Sequence, residues 1–232
     1  MITKENTFAD VVKQYPQTIR LLNDLHLDYC CGGDHTLSQG VVGKDVNLDE
    51  LLTQLNAIAE KAQNQDGSTV ASIDDFKNLS ILDMLDSLEQ THHVTEREQM
   101  ASVEQLLNKI LIVHYPHHGE LLTKLHSLYA HLKAELEEHF AKEERLVFPL
   151  MRANMPPDQA TIAYVKTLEN EHSAAGDIIK EIQALTDNIT LPEDACLTYT
   201  QTYKEMEALF DDIFIHIFKE NSILFPEYEE LT

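Results

Sequence analysis

His139-Phe-Ala-Lys-Glu143-Glu-Arg-Leu-Val-Phe148-Pro149 returns 77 residues later as His216-Ile-Phe-Lys-Glu220-Asn-Ser-Ile-Leu-Phe225-Pro226, with His, Lys, Glu, Phe and Pro identical in five matching places. Each copy sets a His and a Glu four residues apart, so on a helix both side chains leave one face, a turn apart. The closing Phe-Pro supplies an apolar anchor and then a residue that cannot extend a helix. Working outward, Leu125, Leu128, Leu132, Leu136, His139, Glu143 and Leu146 recur at steps of three and four. Met206, Leu209, Ile213, His216, Glu220 and Ile223 do the same. Both His–Glu pairs therefore fall on the stripe that faces a core. A buried carboxylate is costly unless paired or bound to metal. A single pair reads as a structural His–Glu hydrogen bond. Two copies that end identically read as the two halves of one buried metal site.

Composition sets the surroundings of that pattern. The 232 residues are 43% hydrophobic, with only 7 Gly and 7 Pro, and no alternating Val/Ile/Thr-rich run interrupts the helical periodicity. This composition predicts an all-α chain. The formal charge of −23 excludes nucleic acid, whose phosphates it would repel, and opposes an anionic membrane surface. No apolar leader follows Met1 and no run reaches the roughly 18 apolar residues of a membrane span. Three cysteines, two of them adjacent, do not form a disulfide framework, so the expected setting is a reducing cytoplasm.

In chain order, residues 1–62 read as a small helical domain. Thr7 or Asp10 caps its first helix, and Asn47 or Asp49 caps the one carrying Leu51, Leu52, Leu55 and Ile58. Between them lies Leu27-Asp28-Tyr29-Cys30-Cys31-Gly32-Gly33, whose glycines permit positive φ or a close backbone approach. Residues 63–75, with Gln63-Asn-Gln-Asp-Gly-Ser-Thr, read as a linker. Residues 76–232 read as an antiparallel four-helix bundle. Its first helix starts at Ser80 and breaks at Tyr115-Pro116. The second runs from Gly119 to Val147, the third from Asp158 to Thr186, and the fourth opens at Thr190-Leu-Pro192 and runs to Leu224.

His92, His139, His172 and His216 each fall on the core stripe of a different helix. With Glu143 and Glu220 as bridging carboxylates they suit iron, manganese or zinc. The ligand count exceeds the four of a zinc site, so two irons follow more naturally. His114 is a fifth candidate, with a helix C-terminal His favoured by the dipole as the equal alternative. His93 should point off the core face, His117 and His118 look solvated, and Cys196 reads as packing. A rival ferritin-like arrangement uses Glu89-x-x-His92 and Glu169-x-x-His172 with Glu143 and Glu220. It leaves His139 and His216 without a role.

These residues resemble the hemerythrin-like di-iron bundle. The Asp28-Tyr-Cys30-Cys31-Gly-Gly33 stretch before it resembles the short domain that opens the di-iron iron–sulfur cluster repair proteins. The resemblance implies a stress protein that restores clusters damaged by nitric oxide or peroxide. It also implies two carboxylate-bridged non-haem irons held by His92, His114, His139, Glu143, His172, His216 and Glu220, with Glu171 beside them. Iron delivery and reduction of nitric oxide at the irons both stay open, as does the enzyme question. Cys30 and Cys31 would ligate or relay iron, exchange electrons, or simply form a buried turn. Damaged iron–sulfur proteins are the expected partners, nitric oxide or oxygen the small ligands. A homodimer is a further expectation; an oxygen- or nitric-oxide-binding hemerythrin-like carrier or sensor, a ferritin-like carboxylate di-iron protein and a metal-free helical interaction protein are the alternative functions.

Overall fold

In the computed structural model residues 1–62 and 71–231 are described, and they are all-α apart from one isolated backbone bridge between Thr7 and Thr36. Two compact units emerge, Met1–Met84 with Phe214–Glu230, and Leu85–Ile213. The dividing point falls inside one continuous helix, Leu197–Lys219.

The first unit begins with α1 (Phe8–Gln14), α2 (Ile19–Asp24), α3 (Leu37–Gly40) and α4 (Leu48–Ala62). Thr7 caps α1 by accepting from the Asp10 N–H, and Asn47 accepts from the N–H groups of Asp49 and Glu50 at the start of α4. These caps satisfy backbone donors that a helix start leaves without intrahelical partners. Phe8, Val11, Val12, Leu22, Leu37, Leu51 and Leu55 form its core. Of the linker expected at 63–75, residues 63–70 lie outside the described residues. Residues 71–75 belong to a short helix, α5 (Ala71–Phe76). The same unit includes the end of the chain, where the Phe218 ring stands edge-on to Tyr29 at 5.9 Å and Lys219 lies over the Phe76 ring at 5.1 Å.

The second unit is built on α6 (Ile81–Gln90), α7 (His92–Lys142), α8 (Phe148–Ala153), α9 (Gln159–Leu185) and α10 (Leu197–Lys219). The expected first helix from Ser80 is interrupted at Thr91, whose φ/ψ of −109°/−75° departs from helical values. α7 is two helices joined by a reversal at His118, where φ/ψ is −126°/18°, beside Pro116. Pairs across the reversal close inward on it: Arg97 with Glu137, Tyr129 Oη donating to Met100 O at 2.9 Å, His126 with Asn108. The last helix returns antiparallel to the first arm, with Asp212 against His92, Glu205 against Ser102 and Asp194 against His118. Asp158 caps α9 through the Thr161 N–H. The connections thus follow the up-down-up-down order of an antiparallel bundle.

Both copies of the repeated motif contain a feature the periodicity does not announce. Glu143–Val147 and Glu220–Leu224 are single π-turns, closed by Phe148 N–H bonding to Glu143 O and by Phe225 N–H bonding to Glu220 O. A π-turn inserts an extra residue and shifts the faces that follow. Leu146, expected on the core stripe, is 39% exposed, while Val147 and Phe148 are buried. Phe-Pro does not end the helix. The proline enters the first turn of a new one, α8 or α11 (Phe225–Glu229), where its missing N–H is tolerated.

Candidate metal centre

The first carboxylate of the repeat, Glu143, has no exposed surface. His139, one turn before it, places Nε2 3.3 Å from Glu143 Oε1. From the first arm of α7, His93 brings Nε2 to 3.2 Å from Glu143 Oε2. On α9, His172 sets Nε2 3.0 Å from His139 Nε2. In the second copy His216 Nε2 is 3.4 Å from Glu220 Oε1, and Glu220 is again fully buried.

These side chains form two overlapping groups. His93, Glu143, His216 and Glu220 make one, and His139, Glu143, His172 and Glu220 the other; within each, the ligand atoms lie within 4.8 Å of one another. Glu143 and Glu220 belong to both. Each begins a π-turn, so both bridging positions occur where the helix is locally widened.

The outer nitrogens of two of these histidines meet carboxylates. His93 Nδ1 is 3.0 Å from Glu144 Oε1, and His139 Nδ1 is 3.0 Å from Glu171 Oε2. An imidazole that gives its Nδ1 proton to a carboxylate presents Nε2 as a lone-pair donor, the arrangement that orients metal-binding histidines. Arg97 Nη1 donates to Glu144 at 2.7 Å, and Lys142 pairs with Glu171. The His139 bond is the main cause that holds the Glu171 carboxyl down at about 2, with Lys142 adding to it.

The donor set fits a metal pair. Two buried carboxylates within one cluster repel each other in a low dielectric, and imidazoles alone supply no fixed charge to offset them. Two divalent cations shared across the groups would. Imidazole with carboxylate and no thiolate is the chemistry of iron, manganese or zinc, and six donors with two shared exceed one tetrahedral shell.

His139, Glu143, His172, His216 and Glu220 are thus brought together. His92 and His114 stand elsewhere. His92 directs Nδ1 to Asp212 Oδ2 at 3.0 Å and forms a separate group with Glu96 and Asp212. The neighbouring His93, expected off the core face, is fully buried and stacked on Phe140 at 4.6 Å. A usable signal for it exists. Stepping back from His114 through Ile110, Leu107, Val103 and Met100 by fours and threes lands on Glu96 and His93, and all seven are buried. The break at Thr91 uncouples this phase from that of α6, where Leu85 and Leu88 are buried and Leu82 is exposed.

His114 is 21 residues beyond His93, which at 1.5 Å per residue is roughly 30 Å along the helix. Its Nε2 lies 3.2 Å from Cys196 Sγ. Glu89 reaches Arg152 at 3.1 Å, and neither Glu89 nor Glu169 belongs to the two central groups, which leaves the ferritin-like arrangement without its outer glutamates.

In the first unit Cys30 is buried and Cys31 half-buried, neither joined in a disulfide, with their sulfurs 3.7 Å apart. Asp28 Oδ1 accepts the N–H groups of Cys31 and Gly32 at 2.9 and 3.0 Å and lies 3.4 Å from Cys30 Sγ. The hydrogen bond with Cys31, then burial, raises the Cys30 thiol well above its ordinary range. Of the two glycines, Gly33 is the close approach: a Cβ there would stand 2.6 Å from Tyr29 O, against 3.3 Å from the nearest atom at Gly32. Asp28, Cys30 and Cys31 form a further group able to hold a cation.

Residues 83–228 match the Hemerythrin HHE cation binding domain, and residues 4–59 match a domain of unknown function, DUF542. The chain is 31% identical over 230 residues to the Iron-sulfur cluster repair protein YtfE of Pectobacterium atrosepticum, covering 97% of each chain. It is 29% identical to YtfE of an Enterobacter strain and 30% identical to that of Salmonella paratyphi B, again with 97% of each chain covered.

Proposed function

The chain belongs to the hemerythrin-type iron–sulfur cluster repair family, and on that premise we propose that it is a di-iron protein that restores iron–sulfur clusters damaged by nitrosative or oxidative stress. The observation that carries the reading is the pair of overlapping groups that share Glu143 and Glu220. On this reading His93 and His216 serve one iron and His139 and His172 the other, with the two glutamates bridging. His93 takes the place expected of His92, and His114 takes no part.

Bound irons would supply one-electron redox chemistry and coordination positions open to a small ligand such as nitric oxide or oxygen. The chain's own contribution is orientation and enclosure. Glu144 and Glu171 fix the tautomers of His93 and His139, and Arg97 and Lys142 hold those carboxylates in turn. Phe140, stacked on His93, shields the site from water.

Residues 1–62 act on this reading as a transfer domain preceding the bundle of residues 76–232. Tyr29, next to Cys30, packs on Phe218, which lies between His216 and Glu220 on the last helix. That contact favours a Cys30–Cys31 unit working with the iron-bearing helix over an isolated turn. The clients are damaged iron–sulfur proteins in the cytoplasm, and no helix among the described residues is long and apolar enough to cross a membrane. The test is anaerobic purification with iron analysis and a repair assay on a nitric-oxide-damaged iron–sulfur enzyme. About two irons per chain and restored activity support the reading. Glu143→Ala and Glu220→Ala should each lose both irons, since each removes a bridge; loss of only one would deny the shared carboxylates.

A further inference from the structure

At the end of the bundle remote from His93, four side chains that the iron centre does not use converge. His114 and His118 stand one turn apart at the reversal of α7, and Asp194 and Cys196 lie just before α10. His118 Nε2 is 2.7 Å from Asp194 Oδ1, and His114 Nε2 is 3.2 Å from Cys196 Sγ. The ligand atoms of His114, His118 and Asp194 lie within 4.8 Å of one another. Tyr199 sets its ring edge-on to both imidazoles, at 5.2 and 6.1 Å, which fixes their planes. The contacts join residues 76 and 82 apart in sequence, so nothing but the fold assembles them.

We propose that His114, His118, Asp194 and Cys196 form a second metal site that takes one zinc-type divalent cation in a four-coordinate shell. Two imidazoles, a carboxylate and a thiolate are a zinc donor set, and the thiolate separates this site in kind from the thiolate-free iron centre. A tetrahedron with bonds of roughly 2.0–2.3 Å has edges of about 3.3–3.8 Å. The two direct contacts, 2.7 and 3.2 Å, are shorter than those edges, and Cys196 stands outside the group of His114, His118 and Asp194, so the shell closes by side-chain rotations. Asp194 and Cys196 are exposed and able to make them. Hydrogen bonding from His114 brings the Cys196 thiol down to about 7, which favours the ligating thiolate near neutral pH. The bound ion would pin the α7 reversal to the start of α10, stiffening the end of the bundle opposite the irons. The inference does not depend on what the iron centre does.

The experiment uses the iron-loaded full chain titrated with cobalt(II) as a spectroscopic stand-in, followed by zinc competition. One cobalt per chain beyond the iron should bind, with tetrahedral visible bands and a sulfur-to-metal charge-transfer band, and zinc should displace it while the iron stays. Cys196→Ser should abolish the charge-transfer band, and His118→Ala and Asp194→Asn should each weaken binding by at least about tenfold. Cys30→Ser/Cys31→Ser should leave the band in place. Zinc should raise the melting temperature of the wild type and not of Cys196→Ser. A band that survives Cys196→Ser and disappears in the Cys30→Ser/Cys31→Ser variant would overturn the proposal. So would the absence of any tetrahedral cobalt signal from the folded, iron-loaded wild type.

Discussion

His139 Nδ1 lies 3.0 Å from Glu171 Oε2, one turn before the glutamate that His139 faces with its other nitrogen. Glu171 thereby decides which imidazole nitrogen is free to bind a metal. Glu171→Ala should leave the bundle folded and lower iron affinity by about 10–100-fold, measured by chelator competition. Unchanged affinity would mean that packing alone orients His139.

The two adjacent histidines at the start of α7 divide cleanly. His93 touches Glu143, and His92 touches Asp212. His93→Ala should lose iron, whereas His92→Ala should keep about two irons per chain. Iron analysis of both variants checks this, and the reverse result would return the ligand role to His92.

Removing the iron should destabilise the bundle, because Glu143 and Glu220 have no exposed surface on which to shed charge. Iron held at a hundred times Kd contributes about 2.7 kcal/mol per site. Two sites give about 5.4 kcal/mol, and at about 2–4 °C per kcal/mol for a chain of this size the apo form should melt about 11–22 °C lower. Equal melting temperatures for the two forms would show that the polar residues satisfy one another without metal.

Cys30 and Cys31 lie outside both central groups. The Cys30→Ser/Cys31→Ser variant should therefore keep its iron and its spectrum, yet fail to restore a nitric-oxide-damaged iron–sulfur enzyme that the wild type repairs. A serine hydroxyl does not ionise near neutral pH and cannot exchange electrons. Full repair by the variant would reduce the pair to a structural turn.

The Cys-Cys loop also makes a backbone prediction. A Cβ at Gly33 would meet the Tyr29 carbonyl at 2.6 Å, so Gly33→Ala forces the loop apart. It should destabilise the first unit by about 1–3 kcal/mol, while Gly32→Ala, with its nearest atom at 3.3 Å, should cost less. Denaturant unfolding of the two variants checks the order.

The sequence by itself determined the bundle and marked most of the side chains that cluster in its core. Steps of three and four carry helix faces reliably while the helix is unbroken, and the repeat marks His139, Glu143, His216 and Glu220 by duplication. His172 followed from the same periodicity on α9. What only the tertiary structure decided lies where that phase is lost. Past the break at Thr91 His92 and His93 are both buried, yet His93 and not His92 reaches Glu143, and the π-turn that opens at Glu143 leaves Leu146 exposed and Val147 buried, whereas Ile223 in the second copy stays buried. His114 is a candidate by its place at the end of the first helical segment and by the family resemblance, but a helix separates residues by length as well as by angle, and it sits far along α7 from His93. Its meeting with Cys196 rests on a chain reversal and a returning helix, contacts across 82 residues that no local period encodes.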